Sequence, residues 1–173
     1  MNFSSPLTIL FTLLLLHETL YSTMADQKFI ENTCKGTPSP NLCLKILLAN
    51  PKSQNSDLTD LALIGVAAVK DKGVEIIRQI VALKSSKPKL RPTLNYCEEA
   101  YHAVVYADVP SSSEALRGGL AKFAEDGMAD SAVESQACER SFSEHGWMSP
   151  MTDSNKAMND VANVVRAIIR MLL

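Results

Sequence analysis

From Asp57 to Lys84 the chain runs without a proline, and its apolar positions return at helical spacing. Leu58, Leu61, Gly65, Ala68, Lys72, Ile76, Gln79 and Leu83 follow a heptad-like repeat, with Ala62, Val69, Ile77 and Ile80 widening the stripe. Such a pattern predicts a long amphipathic helix, with Ser56 or Asp57 as its cap and Asp60 in its first turn, where negative charge suits the helix dipole. A helix of this length cannot bury its stripe alone; it needs other helices alongside, which points to a bundle. Gly65 and Gly73 inside it each cost up to about 1 kcal/mol against alanine, and close approach of a neighbouring helix is the usual reason for keeping them.

The remaining segments supply those neighbours. A second long helix is predicted from about Pro92 to Gly118, carrying Leu94, Cys97, Tyr101, Val104, Val105 and Ala107 on one face. Pro110 removes a backbone donor inside it, so a kink is expected there rather than a chain reversal. Gly118-Gly119 stops that helix, because glycine enters left-handed conformations cheaply. A third helix, with Phe123, Met128, Ala132, Val133, Ala137 and Phe142, is the least hydrophobic. Ser149-Pro150 reads as a cap with proline at the first helical position, opening a last helix with Met151, Met158, Val161, Val165, Ile168 and Leu172. Ahead of all four, residues 26–50 read as two short helical pieces that turn at Thr37-Pro38-Ser39-Pro40, an appendage to the bundle. The expected fold is therefore all-α, an up-down-up-down four-helix bundle over residues 57–173 with an N-terminal helical hairpin.

Residues 1–25 read as a secretory leader: Leu7 to Leu16 is apolar but too short to span a bilayer as a mature helix, and Ser22-Thr23-Met24-Ala25 offers small residues for cleavage. Secretion makes Cys34, Cys43, Cys97 and Cys138 a disulfide framework. Four cysteines allow three pairings, of which the local one, Cys34–Cys43 with Cys97–Cys138, is the simplest. Residues 26–173 form one domain, and no membrane segment is expected after leader removal. A formal charge of −2 provides no basic field for nucleic acid.

Chemistry is sparse. No nucleophile elbow, zinc-protease helix, phosphate loop or dinucleotide fingerprint occurs, so neither catalysis nor a cofactor is expected. Glu98 and His102 share a helix face one turn apart, but two ligands make a weak metal site and an ordinary surface hydrogen bond is the simpler reading. His145, in a loop beside Trp147, reads as packed or solvated. Glu125 and Asp126 are sequence neighbours, which does not set them across a substrate as an acid/base pair.

The runs Phe29-Ile30-Glu31-Asn32-Thr33-Cys34, Asn41-Leu42-Cys43-Leu44, Leu61-Ala62-Leu63-Ile64, Lys122-Phe123-Ala124-Glu125-Asp126-Gly127-Met128 and Arg166-Ala167-Ile168-Ile169-Arg170, with Cys97 and Cys138, resemble the plant invertase/pectin methylesterase inhibitor family. Within it they are most similar to the cell-wall and vacuolar inhibitors of β-fructosidase. The resemblance implies a disulfide-stapled four-helix bundle with a helical hairpin, local cysteine pairing, no catalytic activity and an extracellular or vacuolar setting. It also implies a target: acid invertase, or alternatively pectin methylesterase met through a helical face. In the invertase inhibitors a Pro-Lys-Phe tripeptide enters the substrate cleft. Here Ala121, Lys122 and Phe123 stand in its place, with Glu125 and Asp126 bordering the contact. Alanine in place of proline leaves the tip freer to sample conformations.

Overall fold

The computed structural model describes residues 27–173, so the leader read at 1–25 lies outside the described residues. A first helix, α1, covers 27–35. The turn after it closes through Thr37, whose hydroxyl donates to the Cys34 carbonyl at 2.8 Å. Pro40 opens α2 (Pro40–Leu48), and the Cys34–Cys43 disulfide joins the two short helices with Cα atoms 5.4 Å apart. The hairpin is more than an appendage. Ile30, Cys34, Cys43 and Leu47 are each at most 1% exposed and belong to the same core as the bundle, with α2 packed on the first and last long helices. Pro51–Asn55 winds into a 3₁₀ turn started by Asn50, whose side chain accepts from the Lys52 amide.

The long amphipathic helix is α3, Leu58–Ser86. Asp57 is its cap, accepting from the Asp60 amide at 2.8 Å. Its buried seam is Leu61, Gly65, Val69, Gly73, Ile76 and Ile80, so Ala68, Lys72 and Gln79 of the expected repeat turn toward the rim. Both glycines mark close approach: a Cβ on Gly65 would lie 2.8 Å from Val165, and one on Gly73 2.6 Å from Val105.

The second rod is a continuous run, α4 (Arg91–Ala103), a π-helical turn at Val104–Asp108 and α5 (Val109–Arg117). The irregularity expected at Pro110 takes the form of that wider turn just before it. Pro110 cannot donate, and its ring crowds the carbonyl four residues back; the π turn, in which the Val109 amide reaches Val104, opens the spacing. The third rod is α6, Ala121–Glu144, and the fourth is α7, Thr152–Arg170. Helix α7 starts two residues beyond the expected point. Ser149 instead holds the connection, accepting from the Met151 amide at 3.1 Å and donating to Glu139 at 2.8 Å.

In the square of rods α3 packs on α4–α5, which packs on α6, which packs on α7, which returns to α3. The Cys97–Cys138 disulfide crosses from α4 to α6 with Cα atoms 4.7 Å apart. Tyr101 and Phe142 are the largest fully buried side chains among the described residues, and the Tyr101 hydroxyl donates to Asn155 at 2.7 Å. Asn155 in turn donates to Glu139 at 2.7 Å, which leaves this polar thread across three rods fully paired. Among the described residues there is no strand, and no helix is long and apolar enough to cross a membrane.

Candidate functional site

The turn between α5 and α6 is built by three backbone bonds. Gly118 donates to Glu114 at 2.9 Å, Gly119 to Leu116 at 3.1 Å and Leu120 to Ala115 at 2.8 Å. The last two form a Schellman closure, which needs a left-handed residue at its centre; Gly119 provides it with φ of 70°. Gly118 is not left-handed, so only one of the two glycines is required for conformation. Leu120 then begins α6 at once, and its side chain offers no cap to the exposed amides of the helix.

Ala121, Lys122 and Phe123 are consequently the first turn of α6 rather than a free loop. Phe123 is 69% exposed and Leu120 54% exposed, which sets two apolar side chains in solvent on adjacent turns. Phe123 and Val133, counted on the apolar face of this helix from sequence, both point outward, whereas Ala124, Met128 and Phe142 are buried. Lys122 is well exposed, but its ammonium is engaged: it donates to Glu125 at 2.6 Å and to Asp126 at 2.8 Å. These two hydrogen bonds, Asp126 first, raise its pKa above the ordinary lysine value.

Glu125 occupies an unexpected place. It is only 2% exposed, tucked between α6 and α7. One carboxylate oxygen accepts from Lys122, and the other accepts from Arg166 Nε and Arg170 Nε, both at 2.8 Å. Three cations around one carboxylate, with the Lys122 bond the strongest, overcome the burial that would raise its pKa and hold it down at about 2. The two arginines lie one helical turn apart, which is the spacing that lets both reach a single acceptor. That spacing was visible in the sequence, but nothing there identified the carboxylate they share. On their other side they line an open groove of about 650 Å³ between the hairpin turn and α7, along with Pro38, Asp160 and Asn163.

The anchoring of this turn is local. Cys138 lies 17 residues from Ala121 along α6, about 25 Å on a helix axis, so the disulfide does not brace the turn itself. The Glu125 cluster and a tight contact with α5 do so. A Cβ on Gly127 would lie 2.2 Å from the Ser112 hydroxyl oxygen.

The other candidates separate. Glu98 pairs with Lys84, while His102 sets its ring edge-on to Tyr106 at 5.4 Å, so the anticipated surface bond between Glu98 and His102 is absent from the bonds of the described residues. His145 Nδ1 bonds the Ser141 carbonyl at 2.7 Å. No group of three His, Cys, Asp or Glu among the described residues is placed to hold a metal.

Residues 28–171 match the family model described as "Plant invertase/pectin methylesterase inhibitor". The chain belongs to that family. The Arabidopsis thaliana "Cell wall / vacuolar inhibitor of fructosidase 1" is 36% identical over 145 residues, covering 84% of this chain and 69% of the relative. A protein from Platanus acerifolia, described as an inferred invertase inhibitor, is 33% identical over 188 residues and covers 99% of each chain. The fold agrees with a crystal structure of a mutant pectin methylesterase inhibitor from Arabidopsis, at a TM-score of 0.67, 16% identity, 81% of this chain and 94% of that one. The family and its named members are inhibitors, and this chain is an inhibitor-family protein rather than an enzyme.

Proposed function

We propose that the protein inhibits acid invertase by placing the first turn of α6 in the enzyme's substrate cleft. The observation that carries this reading is the pairing of an exposed Phe123 with an exposed Lys122 side chain in the first turn of α6. A retaining sugar hydrolase presents a carboxylate nucleophile and a carboxylic acid about 5 Å apart. Lys122 supplies the complementary cation, the uncapped amides of α6 add the positive end of a helix dipole, and Phe123 fills an adjacent apolar subsite. Ala121 occupies the first helical position, so the conformational freedom expected of an alanine tip is already restrained by the helix. The names of the relatives support invertase as the target, and the cell wall or the vacuole as the place of action after delivery by the leader at 1–25.

The test is inhibition of purified acid invertase and purified pectin methylesterase in parallel, at several sucrose concentrations for the first. The reading predicts inhibition of invertase that added sucrose overcomes, with pectin methylesterase untouched. Inhibition of pectin methylesterase alone would transfer the activity to a helical face of the bundle.

A further inference from the structure

We propose that Glu125 is a positioning residue for the inhibitory contact: it holds Lys122 in place in the free protein and releases it to the target, while Arg166 and Arg170 retain the Glu125 charge. The inference rests on Lys122 being the cation that meets the target. Lys122 is not idle before binding, because both of its carboxylate partners lie on its own helix, one turn on. To engage a target carboxylate its ammonium must leave them. Asp126 is half exposed and water replaces the lysine there. Glu125 is 2% exposed with Lys122 in place, so little of it is already solvated when the lysine leaves. A buried carboxylate that loses its only cation is left uncompensated, which opposes the exchange strongly.

The division of the Glu125 oxygens removes that obstacle. Lys122 uses Oε2 alone, and the two arginines share Oε1 from α7, so the lysine can swing outward without disturbing either arginine. Neither arginine follows it, since both are held from the far helix. A carboxylate stapled to α7 by two guanidinium groups needs no third cation for its own neutralisation; its bond to Lys122 serves to orient the lysine. An exposed lysine that nothing holds samples many rotamers, and fixing one of them beforehand lowers the ordering cost of binding.

The disulfide-bonded protein is assayed for invertase inhibition as the parent, as Lys122→Ala, as Arg166→Met/Arg170→Met, and as that double variant with Glu125→Gln added. Circular dichroism is recorded on each. The double variant is expected to inhibit about tenfold or more weakly, because Lys122 has become the sole cation of a buried carboxylate. Adding Glu125→Gln is expected to recover most of that loss, since an amide does not need the lysine, and to stop about threefold short of the parent, since the amide no longer holds the lysine in place. If the cluster were only a structural staple, the arginine variants would lower the unfolding midpoint and Glu125→Gln would restore it, with the inhibition constant of the folded protein unchanged throughout. Arg170→Met alone, at the more exposed arginine, with and without Glu125→Gln, repeats the comparison if the double variant does not fold. Arginine variants that inhibit like the parent, or a loss that Glu125→Gln fails to repair in a folded protein, would overturn the exchange. If Lys122→Ala itself inhibits like the parent, the cleft reading fails first; if it loses inhibition while the arginine variants do not, only the exchange fails.

Discussion

Two carboxylates, Glu125 and Asp108, set opposite responses to acid. Glu125 is held at about 2, first by Lys122 and then by Arg166 and Arg170. Its folded value is depressed, so its contribution is present above the ordinary 4.5 and fades as pH falls toward 2. Asp108, in the π turn, is pushed up to about 6, chiefly by burial and further by Asp130 and Glu134, against a stabilising bond from the Ser131 hydroxyl at 3.1 Å. A raised carboxylate favours the folded state where it is protonated, so stability increases as pH falls from about 6 toward 3.8. Thermal unfolding across pH 3–8 is therefore expected to give its highest midpoint near pH 4–5. Asp108→Asn should flatten the neutral side of that profile and leave the acid side, which Glu125→Gln should flatten instead. The adjacency of Glu125 and Asp126 in sequence hid how differently they are placed: one is enclosed by α7 and the other is half exposed. Only tertiary packing decides that, which is why the sequence reading put both at the border of the contact.

At the scale of elements, the helices were legible because their stripes, caps and prolines agree with one another. Asp57 caps α3 as its position suggests, Pro40 opens α2, and Gly119 closes α5. The departures have local causes. The π turn at Val104–Asp108 relieves Pro110, and no composition signal announces a wider turn. The start of α7 slipped past Ser149 because that serine is recruited by Glu139 across the interface. Phe123 has the spacing of the apolar face, but α6 turns Gly127 toward α5 and leaves Phe123 in solvent. Gly127→Ala should push Ser112 off and separate α5 from α6, at about 1–3 kcal/mol measured by denaturant unfolding. Gly119→Ala should cost less, about 1–2 kcal/mol, because nothing crowds its Cβ and only the left-handed backbone is strained. Ala121→Pro should leave the fold intact, since proline suits the first position of a helix.

For the molecule as a whole, the fold separates stability from contact. The disulfides close loops of 9 and 41 residues in sequence separation, and both lie inside the core. In the chain-entropy account the longer contributes roughly 4 kcal/mol and the shorter roughly 2.5–3, so reduction should lower the denaturation midpoint sharply, with Cys97→Ala/Cys138→Ala the more damaging of the two paired replacements. The turn proposed to meet the target sits at the opposite stretch of α6 and is braced by Glu125 and Gly127, which leaves its exposed side chains free to be changed without loss of the bundle. The most direct measurement is therefore the inhibition constant of Lys122→Ala against acid invertase, taken beside circular dichroism, with Phe123→Ala in the same series. The account predicts an unchanged helical spectrum, a loss of about 2–5 kcal/mol in binding for Lys122→Ala, and about 1–3 kcal/mol for Phe123→Ala. A folded Lys122→Ala protein that inhibits invertase as strongly as the parent would contradict it.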